Sequence, residues 1–128
     1  MRVYLAIKFK EDLSNKKLIE DIAEILERDG IETQVMVRDF ENLGRKKYEP
    51  LELMKIAFGA IDRADVLLVE FSEKGVGLGI EAGYAYAKLK PVIVIAKVGS
   101  EISDTLRGIA QDIIFYNEPS DLANKIKI

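Results

Sequence analysis

Residues 75–88 read GVGLGIEAGYAYAK. Gly75, Gly77 and Gly79 alternate, and they lead into small and apolar residues among which Glu81 is the one charged group before Lys88. A solvated helix would carry more charge than this. One function for the stretch is anion binding, since a glycine-rich turn entering a helix can cradle phosphate. The spacing is not GxGxxG, however, and Glu81 would repel an anion. A second reading is packing alone, with Glu81 in a first helical turn favouring the helix dipole by ~0.5 kcal/mol. A third is chemistry. A carboxylate kept ionised by a helix N-terminus can act as a nucleophile. Glycines let a flat ligand lie against the backbone, and a carboxylate nucleophile in such a pocket is the equipment of retaining glycosyl transfer.

Composition narrows the chemistry further. The chain contains no Cys, His or Trp. Disulfides, thiolate or imidazole metal sites, and Ser-His or Cys-His catalysis are therefore excluded. Proton transfer must use Asp, Glu, Lys or Tyr, and no metal or organic cofactor is expected. A net charge of -3 argues against a nucleic acid polymer as partner. No apolar run is long enough for a membrane span and the N-terminus lacks a signal-peptide pattern, so a cytoplasmic protein is expected. Abundant Lys, Glu and Ile with only two Gln point to a thermophilic source.

The elements that must position Glu81 can be read from periodicity. Residues 2–9, 32–38, 65–71, 91–96 and 112–116 read as five strands, and 65–71 is apolar on both faces, as in a buried parallel sheet. Ser14 reads as the N-cap of a first helix, with Leu13 and Leu18 as a hydrophobic staple and Gly30 as its stop. Residues 39–49 read as a long loop, and Pro50 opens a second helix. The glycine-rich stretch opens a third, residues 105–110 form a short fourth, and 119–127 a last one. Strands alternating with helices predict a single α/β domain over 1–128. The expected fold is a flavodoxin-like (Rossmann-like) doubly wound sheet of about five parallel strands with helices on both faces. Ligands of such sheets bind at the carboxyl ends of the strands, where Gly75 to Glu81 lie.

VGLGIEAGYA closely resembles the signature of the nucleoside 2-deoxyribosyltransferases and of the related 2'-deoxynucleoside 5'-phosphate N-hydrolases. The resemblance implies that Glu81 attacks the sugar C1′ to form a glycosyl-enzyme ester, which water or a second base resolves. It extends over most of the chain: VYLAIKF resembles the family's first strand, and by that match Tyr4 hydrogen-bonds the nucleophile. ISDTLRGIA resembles a segment that crosses a subunit interface, so that Ser103 would contact the substrate's 5′ end in a neighbour's pocket. A homo-oligomer is accordingly expected. Lys8 and Lys10 stand where the hydrolases carry phosphate-binding Ser and Arg. Two acids of the family pattern are missing, their positions being held by Ala57 and Gly75. Asp39, Glu41, Tyr48 or Glu73 could substitute, and nothing in the residues selects among them.

The expectation is thus an enzyme that cleaves the N-glycosidic bond of a deoxynucleoside or its monophosphate, by hydrolysis or base transfer. Glu81 and Tyr4 would be catalytic, and Gly75, Gly77, Gly79, Ser103, Lys8 and Lys10 would bind substrate. The alternative is a noncatalytic nucleotide-binding or regulatory module on the same fold. A phospho-receiver domain would need an Asp where Glu70 to Ser72 stand.

Overall fold

The structure, a computed structural model, describes residues 1–127. Five strands, β1 (Arg2–Ile7), β2 (Glu32–Val35), β3 (Val66–Glu70), β4 (Val92–Lys97) and β5 (Asp112–Tyr116), form one all-parallel sheet in the order β2-β1-β3-β4-β5. The helices between them are α1 (Lys16–Arg28), α2 (Pro50–Arg63), α3 (Val76–Ala87) and α4 (Asp104–Ile109). This is the flavodoxin-like order. The order in which strands are added to the sheet reverses at the boundary between β1 and β3, and a cleft opens beside that reversal at the carboxyl edge.

The sheet is buried on both faces, so its strands are apolar throughout. Val66, Leu67, Leu68 and Val69 of β3 are fully buried, each contributing roughly 1.5–3 kcal/mol of apolar burial. Period-two alternation sends Val3 and Leu5 to one core with Ile19, Ile22 and Leu26 of α1. Tyr4 and Ala6 go to the other core with Ala60 and Ile61 of α2 and Leu78, Ala82 and Ala85 of α3. The small residues of α3 are therefore what bring that helix close to β1.

The structure departs from several sequence expectations. The N-cap of α1 is Asn15, not Ser14. The Asn15 side chain accepts from the Lys10 amide at 3.2 Å and donates to the Lys8 carbonyl at 2.5 Å, tying down the β1–α1 loop. Leu13, at a φ of 64° and half exposed, is no staple. Strand β2 stops at Val35 because Asp39 accepts a 2.8 Å hydrogen bond from the Val35 amide and folds Met36–Phe40 into a π-helical turn. The expected last helix is a single 3-10 turn, Pro119–Leu122, which ends where Ala123 leaves helical geometry at a ψ of 128° and Asn124 follows at a φ of 60°.

Candidate active site

Glu81 is the sixth residue of α3, which begins at Val76 after Gly75 as N-cap. It therefore lies in the second helical turn, not the first. The helix terminus does little for its charge at that depth. Burial dominates instead and pushes the Glu81 carboxyl up to about 7, with the charge of Glu41 adding to the rise and the Tyr4 hydroxyl opposing it. The expectation of a carboxylate held ionised by the helix N-terminus is thus corrected: in the free protein Glu81 is poised between its two forms near neutrality.

Glu81 faces a cavity of about 200 Å³ at the carboxyl end of β1. Tyr4 and Ala6 of β1 form part of its wall, Gly77 and Glu81 come from α3, and Leu53, Met54 and Ala57 come from α2. Phe9, Met36, Val37 and Glu41 enter from the loops after β1 and β2. Pockets that enclose a drug-sized ligand span roughly 300–1,000 Å³, so this one takes part of a nucleoside-sized molecule, and its apolar walls suit a flat ring. Tyr4 is fully buried, and its hydroxyl closes no hydrogen bond of ordinary geometry. It is nonetheless the polar neighbour of Glu81. Burial raises its pKa far above the usual range, and the Glu81 carboxylate raises it further. A buried hydroxyl without a close partner costs about 1–3 kcal/mol, and here it sits beside a carboxylate that could accept it after a small movement.

The remaining expected site residues are divided among neighbouring surfaces. Gly77 borders the Glu81 cavity, with a Cβ there 4.0 Å from Glu81 Oε1. Gly75 and Gly79 line a separate, larger opening between α3 and α4, and Ser103 lines it too. None of the three glycines has a positive φ, so none is required by backbone strain. Ser103 is the N-cap of α4 but makes no side-chain capping bond, and it does not line the Glu81 cavity. Lys8 and Lys10 line a third cavity of about 240 Å³ with Ser14, Ser72, Glu73 and Lys97. Lys8 Nζ donates to the Lys74 carbonyl at 3.3 Å, and Lys10 pairs with Glu73 at 2.5 Å.

Of the four candidate substitutes for the missing acids, the structure brings one to Glu81. Asp39 is engaged by the Val35 amide and by Arg38 at 2.9 Å. The Tyr48 hydroxyl donates to the Phe40 carbonyl at 3.1 Å. Glu73 is exposed and paired with Lys10. Glu41 lines the cavity itself, and desolvation there raises its pKa. Sequence reasoning missed a buried polar cluster nearby. The Glu70 carboxylate accepts from the Ser72 amide at 2.7 Å, from Ser72 Oγ at 2.8 Å and from the Tyr116 hydroxyl. Ser72 Oγ in turn accepts from the Lys97 amide at 2.9 Å. The cluster pins the ends of β3, β4 and β5 together. Its one sequence signal was a carboxylate inside an otherwise apolar strand.

Among the described residues, no group of His, Cys, Asp and Glu could hold a metal ion. No helix among them is long and apolar enough to cross a membrane.

No family model matches the chain. It is 27% identical over 133 residues to the Thermofilum pendens protein named "Putative 2'-deoxynucleoside 5'-phosphate N-hydrolase 1", covering 98% of this chain and 92% of that protein. Among solved structures it is similar to the CMP N-glycosidase BcmB of Clostridium botulinum. That match has 25% identity and a TM-score of 0.71, and it covers 98% of this chain and 96% of the other. The 2-deoxyribosyltransferase of Bacillus psychrosaccharolyticus superposes with a TM-score of 0.77 at 18% identity, covering 97% and 91%, which establishes a shared fold. The likeness first read from VGLGIEAGYA therefore runs the length of the chain.

Proposed function

We propose that the chain is an enzyme that cleaves the N-glycosidic bond of a 2′-deoxynucleoside or its 5′-monophosphate, with Glu81 as nucleophile. The observation that carries this reading is the pairing of Glu81 with the buried, unsatisfied Tyr4 hydroxyl in an apolar cavity at the sheet's switch point. The full-length likeness to proteins named as N-hydrolase, N-glycosidase and deoxyribosyltransferase supports it. The base occupies the cavity between Gly77 and the apolar side chains of α2. The Glu81 carboxylate attacks C1′, and the Tyr4 hydroxyl turns to it and stabilises its charged form. Hydrolysis and base transfer share this step and differ in whether water or a second base opens the ester.

The sugar and any phosphate extend beyond the cavity toward the carboxyl edge, where Lys8 and Lys10 supply positive charge. In this reading the opening lined by Gly75, Gly79 and Ser103 is completed by a second copy of the chain, which brings its own Ser103 to the 5′ end. Val76, at 82% exposure, and Ile80, at 48%, are the apolar side chains that such a partner would cover. The test is incubation with a panel of deoxynucleosides, their 5′-monophosphates and CMP, followed by chromatography for free base. Wild type should release base from at least one member and Glu81→Gln from none. Release at equal rates by both proteins, or by neither, sinks the reading.

A further inference from the structure

Displacing a nucleobase from C1′ requires two things of the protein. One is a carboxylate to take the sugar, and the other is an acid to neutralise the departing nitrogen. Tyr4, Glu41 and Glu81 are the titratable residues that line the cavity among the described residues. Tyr4 is far too weak an acid to give up its proton here, because burial and the neighbouring carboxylates all hold that proton on. Glu41 has no such handicap. Its side chain forms no ion pair and no side-chain hydrogen bond among the described residues. Its charge is felt by both Glu81 and Tyr4, so it stands within electrostatic reach of the place where the glycosidic bond must lie.

The backbone that presents Glu41 is rigidly built. The Glu41 amide donates to the Met36 carbonyl at 3.0 Å, and the Glu41 carbonyl accepts from the amides of Gly44 and Lys46, each at 3.0 Å. Three consecutive left-handed residues follow: Asn42 at 46°, Leu43 at 55° and Gly44 at 86°. Two of them are not glycine, a conformation that side-chain-bearing residues adopt uncommonly and at some cost.

Resting on the function proposed above, we propose that Glu41 is the catalytic acid that protonates the leaving base. The step balances as follows. An oxygen of ionised Glu81 forms a bond to C1′ while the bond from C1′ to the base nitrogen breaks. The bonding pair goes to the base, and the Glu41 proton is delivered to that base. The products are a neutral base, a glycosyl ester on Glu81 and an ionised Glu41. Water then adds to C1′, gives its proton to Glu41 and releases Glu81 as a carboxylate.

The pair must therefore hold one proton between its two carboxyls. In the free protein, the more deeply buried Glu81 holds that proton more strongly. The reactive arrangement places it on Glu41, which the Tyr4 hydroxyl favours by stabilising charge on Glu81. Both arrangements contain the same number of protons, so the pH profile belongs to the pair. Activity rises as the pair loses its first proton and falls as it loses the second, near 7. A nucleophile working without an acid would instead become more active through 7.

The experiment compares two substrates with wild type, Glu41→Gln and Glu41→Asp. One is the natural substrate that the panel identifies. The other is its analogue whose base leaves without a proton, N7-methylated if a purine or 5-fluorinated if a pyrimidine. Glu41→Gln should lower kcat on the natural substrate by roughly 100- to 1,000-fold, with little change in KM, and should remove the alkaline fall of its pH profile. On the activated analogue the loss should be under about tenfold. Glu41→Asp should restore part of the turnover and the alkaline fall. Equal losses on both substrates, no loss on either, or a change confined to KM overturns Glu41 as the acid while Glu81 stands. If wild type releases base from neither substrate, the function itself is wrong and the role of Glu41 falls with it.

Discussion

Replacing Glu81 by Gln should make the protein more stable, and only above a certain pH. The carboxyl is raised from its ordinary 4.5 to about 7 by desolvation first, with Glu41 adding to the rise. The folded protein thus binds this proton more tightly than the unfolded chain does. Below 4.5 both states are protonated and the group's full contribution to stability is present. Between 4.5 and about 7 that contribution is lost, at 1.36 kcal/mol for each pH unit, and above 7 the whole of it, about 3 kcal/mol, is gone. Gln keeps the shape and carries no charge, so it avoids the loss. Guanidinium unfolding of both proteins at pH 4 and pH 8.5 measures this directly. The variant should match wild type within about 0.5 kcal/mol at pH 4. It should exceed wild type by about 3 kcal/mol at pH 8.5, equivalent to a melting shift on the order of 10 °C. An equal difference at both pH values would mean that the effect is packing and that the carboxylate is not desolvated. A variant less stable at pH 8.5 would mean that Glu81 is held by partners in the folded state, and the reasoning from burial would be wrong.

Tyr4→Phe removes the group that holds the Glu81 pKa down. The upper limb of the kcat/KM profile should move to higher pH and turnover should drop, and a move to lower pH would refute the role given to the hydroxyl. Because that hydroxyl lacks a close partner, the same variant should lose less than about 1 kcal/mol in guanidinium unfolding. At Gly44 the φ is 86°, and a Cβ would stand 3.3 Å from Phe9 Cε2. Gly44→Ala should thus cost about 1–2 kcal/mol and lower turnover by disturbing both Phe9 and the Glu41 loop, as unfolding and initial rates would show. Glu81→Gln and Ser103→Trp, each inactive alone, should recover activity when mixed and allowed to exchange subunits. Recovery should approach roughly a quarter of wild type per pocket under two-fold pairing, and demonstrated exchange without recovery would place Ser103 outside a shared site.

Much of this architecture was legible because it rests on local rules. Pro50 begins α2 as expected, and the doubly apolar β3 could belong only to a covered sheet. The motif led to Glu81 and the resemblance of VYLAIKF to Tyr4, and the alternation of β1 in the structure puts Tyr4 on the same face as α3. What failed depends on contacts between distant residues. The pattern of 32–38 continues past Val35, but the Asp39 side chain overrides it. The placement of Glu81 as a first-turn carboxylate failed because glycines alone do not mark where helical hydrogen bonding begins. That Lys8 and Lys10 line a cavity apart from that of Glu81 was not legible either, because they lie beyond the end of β1, where alternation no longer fixes direction. Glu41 could not be set apart from Asp39, Tyr48 and Glu73 because only the folded chain shows that those three are already engaged, by the Val35 amide, the Phe40 carbonyl and Lys10.

The loop that carries Glu41 is held by hydrogen bonds within itself and to the end of β2, while Val37 is buried in one core and Met36 and Phe40 pack against the other. Arg38 Nη2 reaches the Thr33 carbonyl at 2.8 Å, the Leu43 amide the Val37 carbonyl at 2.7 Å, and the Tyr48 hydroxyl the Phe40 carbonyl. Its one ion pair to a helix is Arg38 with Glu27, at 3.1 Å, among the described residues. Glu81, by contrast, is carried by a helix fused to the core through Leu78, Ala82 and Ala85. The two carboxylates are thus mounted differently. Changes around Glu81 disturb the packing of α3, whereas the loop of Glu41 can be varied at its exposed positions as long as Met36, Val37, Asp39 and Phe40 are kept. A library confined to those exposed positions, on an unaltered sheet, is the economical way to reshape the mouth of the Glu81 cavity.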